Sequence, residues 1–193
     1  MATTEEIKQL RDETGVSVMQ CKKALEEAGG DMEKAKVILR KIAAAGASKK
    51  ADRELGAGIA AAYTHAGGQV VAAVVLACET DFVARNPEFQ EIARQIAMHV
   101  AAMQPQFIAR NEVKEADLAK AREVFEGEAV NVKEEMRAKA VEGKLDAFIK
   151  EKILLEQPFV KDSSLSVQQI IDAGMLKFGE KIQVVRMERL SVK

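Results

Sequence analysis

Residues 58–77, GIAAAYTHAGGQVVAAVVLA, carry the pattern of two β-strands joined by a tight turn. Between Gly58 and His65, larger side chains alternate with small ones, which is typical of a strand with one buried face. Ala66-Gly67-Gly68-Gln69 has the composition of a turn. Val70 to Ala77 is continuously apolar and therefore predicts a second strand, buried on both faces. The segment predicts a β-hairpin.

The sequence after the hairpin predicts helices and one more strand. Asn86 can cap a helix that has Pro87 at its first position. The core stripe of that helix is expected to consist of Phe89, Ile92, Ala93, Ile96, Ala97 and Val100. Residues 113–156 are charged, carry Gly127 and Gly143, and predict two or three helices, whereas Ser166 to Ala173 predicts a short one.

Lys181 to Leu190 alternates between apolar and polar residues and predicts a final strand. We expect it to pair with the hairpin in an antiparallel sheet of about three strands packed on helices. The predicted fold class is therefore α+β. Residues 56–193 are expected to form this core.

The first 45 residues predict three short amphipathic helices. Each has a residue suited to cap its N-terminus: Thr3, Ser17 and Asp31. Each has a glycine suited to end it: Gly15, Gly29 and Gly46. The second helix is expected to bury Val18, Cys21, Leu25 and Ala28 and to leave Met19 exposed among lysines. We predict a helical domain over residues 1–45 and a linker over 46–55.

Composition and charge exclude several classes of function. The chain has 29 Lys and Arg residues and 30 Asp and Glu residues. A net charge of −1 produces no overall electrostatic attraction to the phosphate backbone of a nucleic acid. The longest apolar run, Val70 to Cys78, is about half the length of a bilayer span, and the N-terminus lacks the pattern of a signal peptide. We therefore expect no membrane insertion and a cytoplasmic location.

The residues that could perform chemistry are few. Cys21 and Cys78 form no CxxC pair, so neither a disulfide framework nor a metal site is expected. A thiol enzyme centred on Cys78 would need a positioned histidine base, and neither His65 nor His99 has a recognisable catalytic setting. No phosphate-cradling GxxxxGK[ST] run is present. We expect no enzyme activity and no cofactor.

The sequence Glu79-Thr80-Asp81-Phe82-Val83 follows the apolar strand and places a charge beside a large aromatic. Two interpretations are open from pattern alone. In the first, Asp81 caps a helical turn and Phe82 packs beneath it. In the second, Phe82 is presented to a partner. Neighbouring residues on a turn cannot both face the core, so the two interpretations differ in where Phe82 points.

Thr80-Asp81-Phe82-Val83 after an apolar strand resembles the signature of the elongation factor Ts family, in its short bacterial form. The resemblance spans essentially the whole chain, with further matching segments in the family's order: Thr14-Gly15, Cys21-Lys22-Lys23-Ala24-Leu25, Gly30-Asp31, Ile96-Ala97-Met98-His99-Val100-Ala101 and Gln157-Pro158-Phe159-Val160. It implies that the N-terminal helices form a ubiquitin-associated-like docking domain.

The resemblance implies a nucleotide-exchange factor for the GTPase elongation factor Tu, bound in its GDP and nucleotide-free forms. Asp81 and Phe82 would approach the partner's nucleotide pocket and dislodge its Mg²⁺, with Phe82 as the apolar wedge. Thr80 and Val83 would fix the angle of that wedge. The resemblance also makes Arg11, Met19, Lys22 and His99 expected partner contacts, although a lone histidine beside an apolar stripe is more often a packed, hydrogen-bonded side chain.

Short members of the family are expected to pair, and an edge strand such as Lys181 to Leu190 is a ready site for a homodimer. This strand contains no cysteine, so packing and hydrogen bonds alone would hold the dimer. A second reading of the chain is a ubiquitin-associated-like adaptor or nascent-chain scaffold that binds peptides or ribosomes. That reading leaves Thr80 to Val83 unexplained.

Overall fold

The computed structural model describes residues 2–131 and 133–192, so the outermost positions of the two predicted domains, Met1 and Lys193, lie outside the described residues. Helices and a small antiparallel sheet make up the chain, which confirms the α+β class. The helices are α1 (Thr4–Thr14), α2 (Val18–Glu27), α3 (Met32–Ser48), α4 (Asp81–Ala84), α5 (Pro87–Met103), α6 (Glu115–Glu128), α7 (Glu134–Lys150) and α8 (Val167–Phe178). The strands are β1 (Ala57–His65), β2 (Val70–Cys78), β3 (Pro158–Phe159), β4 (Asp162–Ser166) and β5 (Ile182–Ser191).

The main sheet has three antiparallel strands in the order β1-β2-β5. The hairpin and the final strand predicted from the sequence are confirmed. In the middle of β2, Val74 pairs with Ala61 on one side and with Met187 on the other. The sheet therefore has β2 at its centre and β5 at an edge.

The two faces of β2 are buried to different degrees. Ala72, Val74 and Leu76 are buried against the helical layer, which includes α5. Val71, Ala73 and Val75 on the opposite face are only half-buried. Ala77, near the end of this second face, is buried, so the expectation that β2 is buried on both faces holds only at the end of the strand and is wrong for Val71, Ala73 and Val75.

The N-terminal helices pack around their own apolar cluster of Leu10, Val16, Cys21, Ala24, Leu25, Ala35 and Leu39. The capping residues Thr3, Ser17 and Asp31 each accept the expected backbone hydrogen bond. Helix α3 extends through Gly46 to Ser48, beyond its predicted end. Burial of Ala43, together with packing of Ala47 on the core cluster, offsets the roughly 1 kcal/mol that a glycine costs inside a helix.

Val18 is 50% exposed, so its predicted burial is wrong. It is the first residue of α2, where the chain has just turned, and Val16 occupies the core in its place.

The described residues of 113–156 form two α-helices, α6 and α7, with a small apolar cluster between them. Gly127 and Gly143 lie inside these helices and do not end them. The short helix predicted from Ser166 exists as α8, with Ser166 and Gln169 forming a capping box, and it continues to Phe178. It packs against α3, so the N-terminal helices and the core share an interface.

Candidate functional site

The candidate site is the single helical turn α4, which follows the central strand directly. Thr80 has extended backbone angles and caps the turn, because its Oγ1 accepts a hydrogen bond from the Val83 N–H at 3.4 Å. Val83 and Ala84 are 6% and 9% exposed and pack on the core. The turn is thus anchored on its inner side, and its first two residues face outward.

Phe82 is 83% exposed, more than any other large apolar residue in the part of the chain that the structure describes. Asp81 beside it is also exposed and pairs with Arg85 at 3.0 Å. Asp81, Phe82, Arg85 and Asn86 line a shallow surface depression. The interpretation in which Asp81 caps the turn and Phe82 packs beneath it is therefore wrong: Thr80 is the cap and Val83 is the packed residue.

The strand end before α4 is fixed by a residue that the sequence analysis did not single out. The carboxylate of Glu180, between α8 and β5, accepts hydrogen bonds from the Glu79 and Thr80 N–H groups at 3.1 Å each. It also accepts a hydrogen bond from the Thr80 hydroxyl at 2.6 Å. Glu180 is 100 residues from Thr80 in sequence, so no local spacing could have revealed the contact.

Glu79 makes the reciprocal contact. Its carboxylate accepts one hydrogen bond from the Lys181 N–H and another from the Arg53 guanidinium, the latter at 3.1 Å. The Lys181 N–H, followed by Arg53, lowers the pKa of Glu79 below its usual range. Lys181 in turn donates to the carbonyls of Ala51 and Arg53. These bonds tie the segment after α3, the end of β2 and the start of β5 together.

Cys78 lies immediately beneath the site and is fully buried. Its Sγ donates to the Thr80 carbonyl at 3.2 Å. Burial, reinforced by the nearby Glu180 charge, raises the pKa of the Cys78 thiol. A buried thiol with a raised pKa is a poor nucleophile, which disfavours the thiol-enzyme alternative.

Three of the expected contacts in the N-terminal helices lie on the surface. Arg11 on α1 and Lys22 on α2 are exposed, and Met19 is 63% exposed. Lys22 has Glu26 one turn away, at 3.9 Å. An exposed methionine among charged residues is the arrangement expected from the helical pattern.

His99 is placed differently, because it is fully buried in α5. Its Nε2 lies 2.8 Å from Oε1 of Gln157, and its Nδ1 accepts the Val160 N–H at 3.2 Å. Nε2 of Gln157 donates to the Glu151 carbonyl, so Gln157 Oε1 is an acceptor and His99 carries its proton on Nε2. Burial lowers the pKa of His99. The geometry favours the packed, hydrogen-bonded reading of this residue.

Membrane insertion and metal binding find no support in the described residues. Within residues 2–131 and 133–192, no helix is both long and apolar enough to cross a bilayer. Among the same described residues, no group of three or more His, Cys, Asp or Glu side chains is arranged to hold a metal ion.

Comparison with known proteins gives consistent matches over nearly the full length. A model of the family described as elongation factor TS matches residues 33–193. A protein named elongation factor Ts from Desulforamulus reducens is 46% identical over 185 residues, which cover 95% of this chain and 85% of that protein. Its namesake from Thermosipho melanesiensis is 44% identical over 194 residues, covering 100% of this chain and 99% of that protein. The family match and these identities lead to one conclusion: the chain belongs to the elongation factor Ts family and is a translation elongation factor.

Proposed function

We propose that this chain binds elongation factor Tu in its GDP form, weakens the partner's Mg²⁺ and phosphate site, and releases GDP so that GTP can enter. The observation that carries the proposal is the exposure of Phe82 on a turn whose next two residues, Val83 and Ala84, are buried. A large exposed apolar side chain on a rigid support suits insertion into a partner's apolar pocket.

The disruption needs no reaction at this chain's own residues. Mg²⁺ demands near-ideal octahedral oxygen ligation and bridges nucleotide phosphates to protein, so moving one loop that carries a ligand weakens the whole site. Phe82 supplies the wedge in this proposal. Asp81 brings a carboxylate that competes for, or rearranges, polar partners near the metal.

Exchange then follows from linkage. A partner that lowers the affinity for GDP has its own affinity lowered by GDP to the same degree. GTP binds the emptied site by mass action, and the reclosed pocket expels the factor. The protein acts in the cytoplasm as an exchange factor without catalytic chemistry of its own.

The N-terminal helices are proposed to dock on the partner's nucleotide-binding domain through Arg11, Met19 and Lys22, whose side chains are all exposed. His99 is buried, and we propose that it supports the site by holding Val160 and Gln157 in place without making a contact of its own.

We also propose a homodimer that forms through β5. This strand lies at the edge of the main sheet, where Val185 is 47% exposed and Leu190 is 70% exposed. Both cysteines are buried elsewhere, so packing and backbone hydrogen bonds would hold the pair together.

The test is the release rate of a fluorescent GDP from purified bacterial elongation factor Tu, with wild-type protein and with an Asp81→Ala/Phe82→Ala variant. Met136→Ala is a matched control, since Met136 is a 58% exposed apolar residue on α7. Strong acceleration by the wild type and the control, and little by the double variant, is expected. If folded wild-type protein does not accelerate GDP release, the alternative hypothesis of a ubiquitin-associated-like adaptor or nascent-chain scaffold is favoured.

A further inference from the structure

The carboxylate of Glu180 is the most heavily used acceptor around the candidate site. Its two oxygens accept hydrogen bonds from the Glu79 N–H, the Thr80 N–H and the Thr80 hydroxyl. Hydrogen bonds to a charged acceptor are about twice as strong as those between neutral groups. The half-buried position of Glu180 shields these bonds in part from water.

These contacts orient the hydroxyl of Thr80. Because the hydroxyl proton is donated to Glu180 at 2.6 Å, the oxygen presents its lone pairs to the Val83 N–H and caps α4. The Thr80 carbonyl accepts from Cys78 Sγ and from the Ala84 N–H. Each polar group of Thr80 therefore has a partner, and Glu180 accounts for two of them.

Phe82 has no comparable support of its own. Its side chain is 83% exposed, so packing does not fix its direction. The direction of an exposed side chain on a one-turn helix depends on the backbone that carries it. On the inner side Val83 and Ala84 anchor that backbone, and at the entrance to the turn the anchor is Thr80.

We propose that Glu180 is a positioning residue for nucleotide exchange, which sets the angle of Phe82 through Thr80. The inference rests on the exchange function proposed above. It goes beyond the Thr80 to Val83 signature by assigning part of its geometry to a residue just before β5, the strand that pairs with β2. Glu180 acts through Thr80 and does not enter the partner's pocket.

A purely structural role would have a different signature. Glu180 could simply stabilise the connection between α8 and β5, where its neighbour Lys181 binds Glu79. In that case its loss would lower global stability and would reduce activity to the same extent whether or not Phe82 is present. A positioning role requires that the effect of Glu180 depend on Phe82.

The experiment compares Glu180→Ala and Glu180→Gln with Glu126→Ala, which removes the same charge from an exposed site on α6. At saturating factor, Glu180→Ala is expected to lower the maximal rate of GDP release by about tenfold, as for the loss of charge-assisted bonds. Glu180→Gln is expected to lose less, because its remaining oxygen still accepts hydrogen bonds. Glu126→Ala should behave as wild type.

The decisive arm repeats Glu180→Ala in a Phe82→Ala background. We expect little further loss there, since a residue that acts by orienting the ring has nothing left to orient. An equal loss in both backgrounds, or wild-type exchange by Glu180→Ala alone, would overturn the proposal.

Amide hydrogen exchange separates this inference from the proposed function. In Glu180→Ala, exchange at the Thr80 and Val83 amides should accelerate by about tenfold or more, while that of the central β2 amides stays unchanged. Unchanged protection of both amides would disprove the proposal that Glu180 holds Thr80 in place. Accelerated amide exchange in the variant, together with no GDP release by the wild type, would refute the nucleotide-exchange function but not the positioning of Thr80 by Glu180.

Discussion

The side chain of Phe82 is 83% exposed, whereas that of Val83, the next residue along the chain, is 6% exposed. The single turn of α4 thus divides its apolar residues between solvent and core. Thr80 caps the start of the turn, and Val83 and Ala84 pack on the core beneath it. This division separates a role in binding from a role in stability.

Phe82→Ala is expected to impair activity without loss of stability, whereas Val83→Ala is expected to lower stability. Phe82→Ala should leave the free energy of unfolding almost unchanged, since its ring is already in water, and should impair GDP release. Val83→Ala should lower the free energy of unfolding by about 1–3 kcal/mol, because it leaves a cavity in the core. Denaturant unfolding and GDP-release kinetics on both variants check this. A Phe82→Ala variant that is strongly destabilised would contradict the assignment.

Phe82→Ala is also expected to lose more exchange activity than Asp81→Ala. An aromatic anchor in a partner's pocket commonly contributes ~2–4 kcal/mol, whereas Asp81 is an exposed carboxylate paired with Arg85. The measurement is the rate of GDP release at matched concentrations of the two variants. Equal or reversed losses would show that the carboxylate, and not the ring, is the main element of the site.

Thr80→Val should destabilise the protein by about 1 kcal/mol, because it removes the cap of α4 at nearly constant side-chain volume. Thr64→Val, at an exposed position on β1, is the matched control and should have little effect. The midpoint of urea unfolding reports the difference between them. Equal midpoints for the two variants would mean that the Thr80 hydroxyl contributes nothing to the fold.

His99 predicts a specific pH dependence. Its folded-state pKa is lowered from about 6.5, chiefly by burial, so the unfolded state binds the extra proton more readily. Its contribution to stability is therefore fully present above pH 6.5 and is lost as the pH falls toward the folded-state pKa. Unfolding of the wild type and of His99→Gln across pH 5–8 measures this, and the variant should lose that part of the slope. His65→Gln, at an exposed site, is the control and should keep the part of the slope that is due to His99. A slope in His99→Gln identical to that of the wild type would show that His99 does not cause this pH dependence.

The thiols of Cys21 and Cys78 should react far more slowly with a water-soluble thiol reagent in the folded protein than after unfolding. Both are 0% exposed, and burial raises the pKa of each. Labelling followed by mass spectrometry in native buffer and in denaturant checks the expectation. Rapid native labelling of Cys78 would reopen the thiol-enzyme alternative.

The proposed dimer predicts that the protein sediments as a dimer at tens of micromolar. Leu190→Glu should shift it toward monomer, because the charge would be placed on the exposed part of β5. Val124→Glu, on the exposed surface of α6, is the control and should not. A wild-type monomer at that concentration would dispose of the dimer.

Much of the fold could be read from local patterns. The caps at Thr3, Ser17, Asp31 and Asn86, the turn between β1 and β2, and the alternation in β5 all depend on residues within a few positions of each other. Such interactions depend only on short stretches of sequence, so these stretches were enough to predict most helices and strands and the α+β class. The continuation of α3 through Gly46 and of α7 through Gly143 was not predictable this way, because tertiary packing can override a weak helix former.

The candidate site divides along the same line. From the sequence alone, Thr80 to Val83 could be placed after an apolar strand, and the resemblance to a family supplied their expected role. Three features became visible only in the folded chain: Phe82 faces solvent, His99 is buried against Gln157, and Glu180 holds Thr80 from 100 residues away. Burial and long-range hydrogen bonds depend on which surfaces meet after the chain has packed, and a linear sequence has no direct record of those contacts.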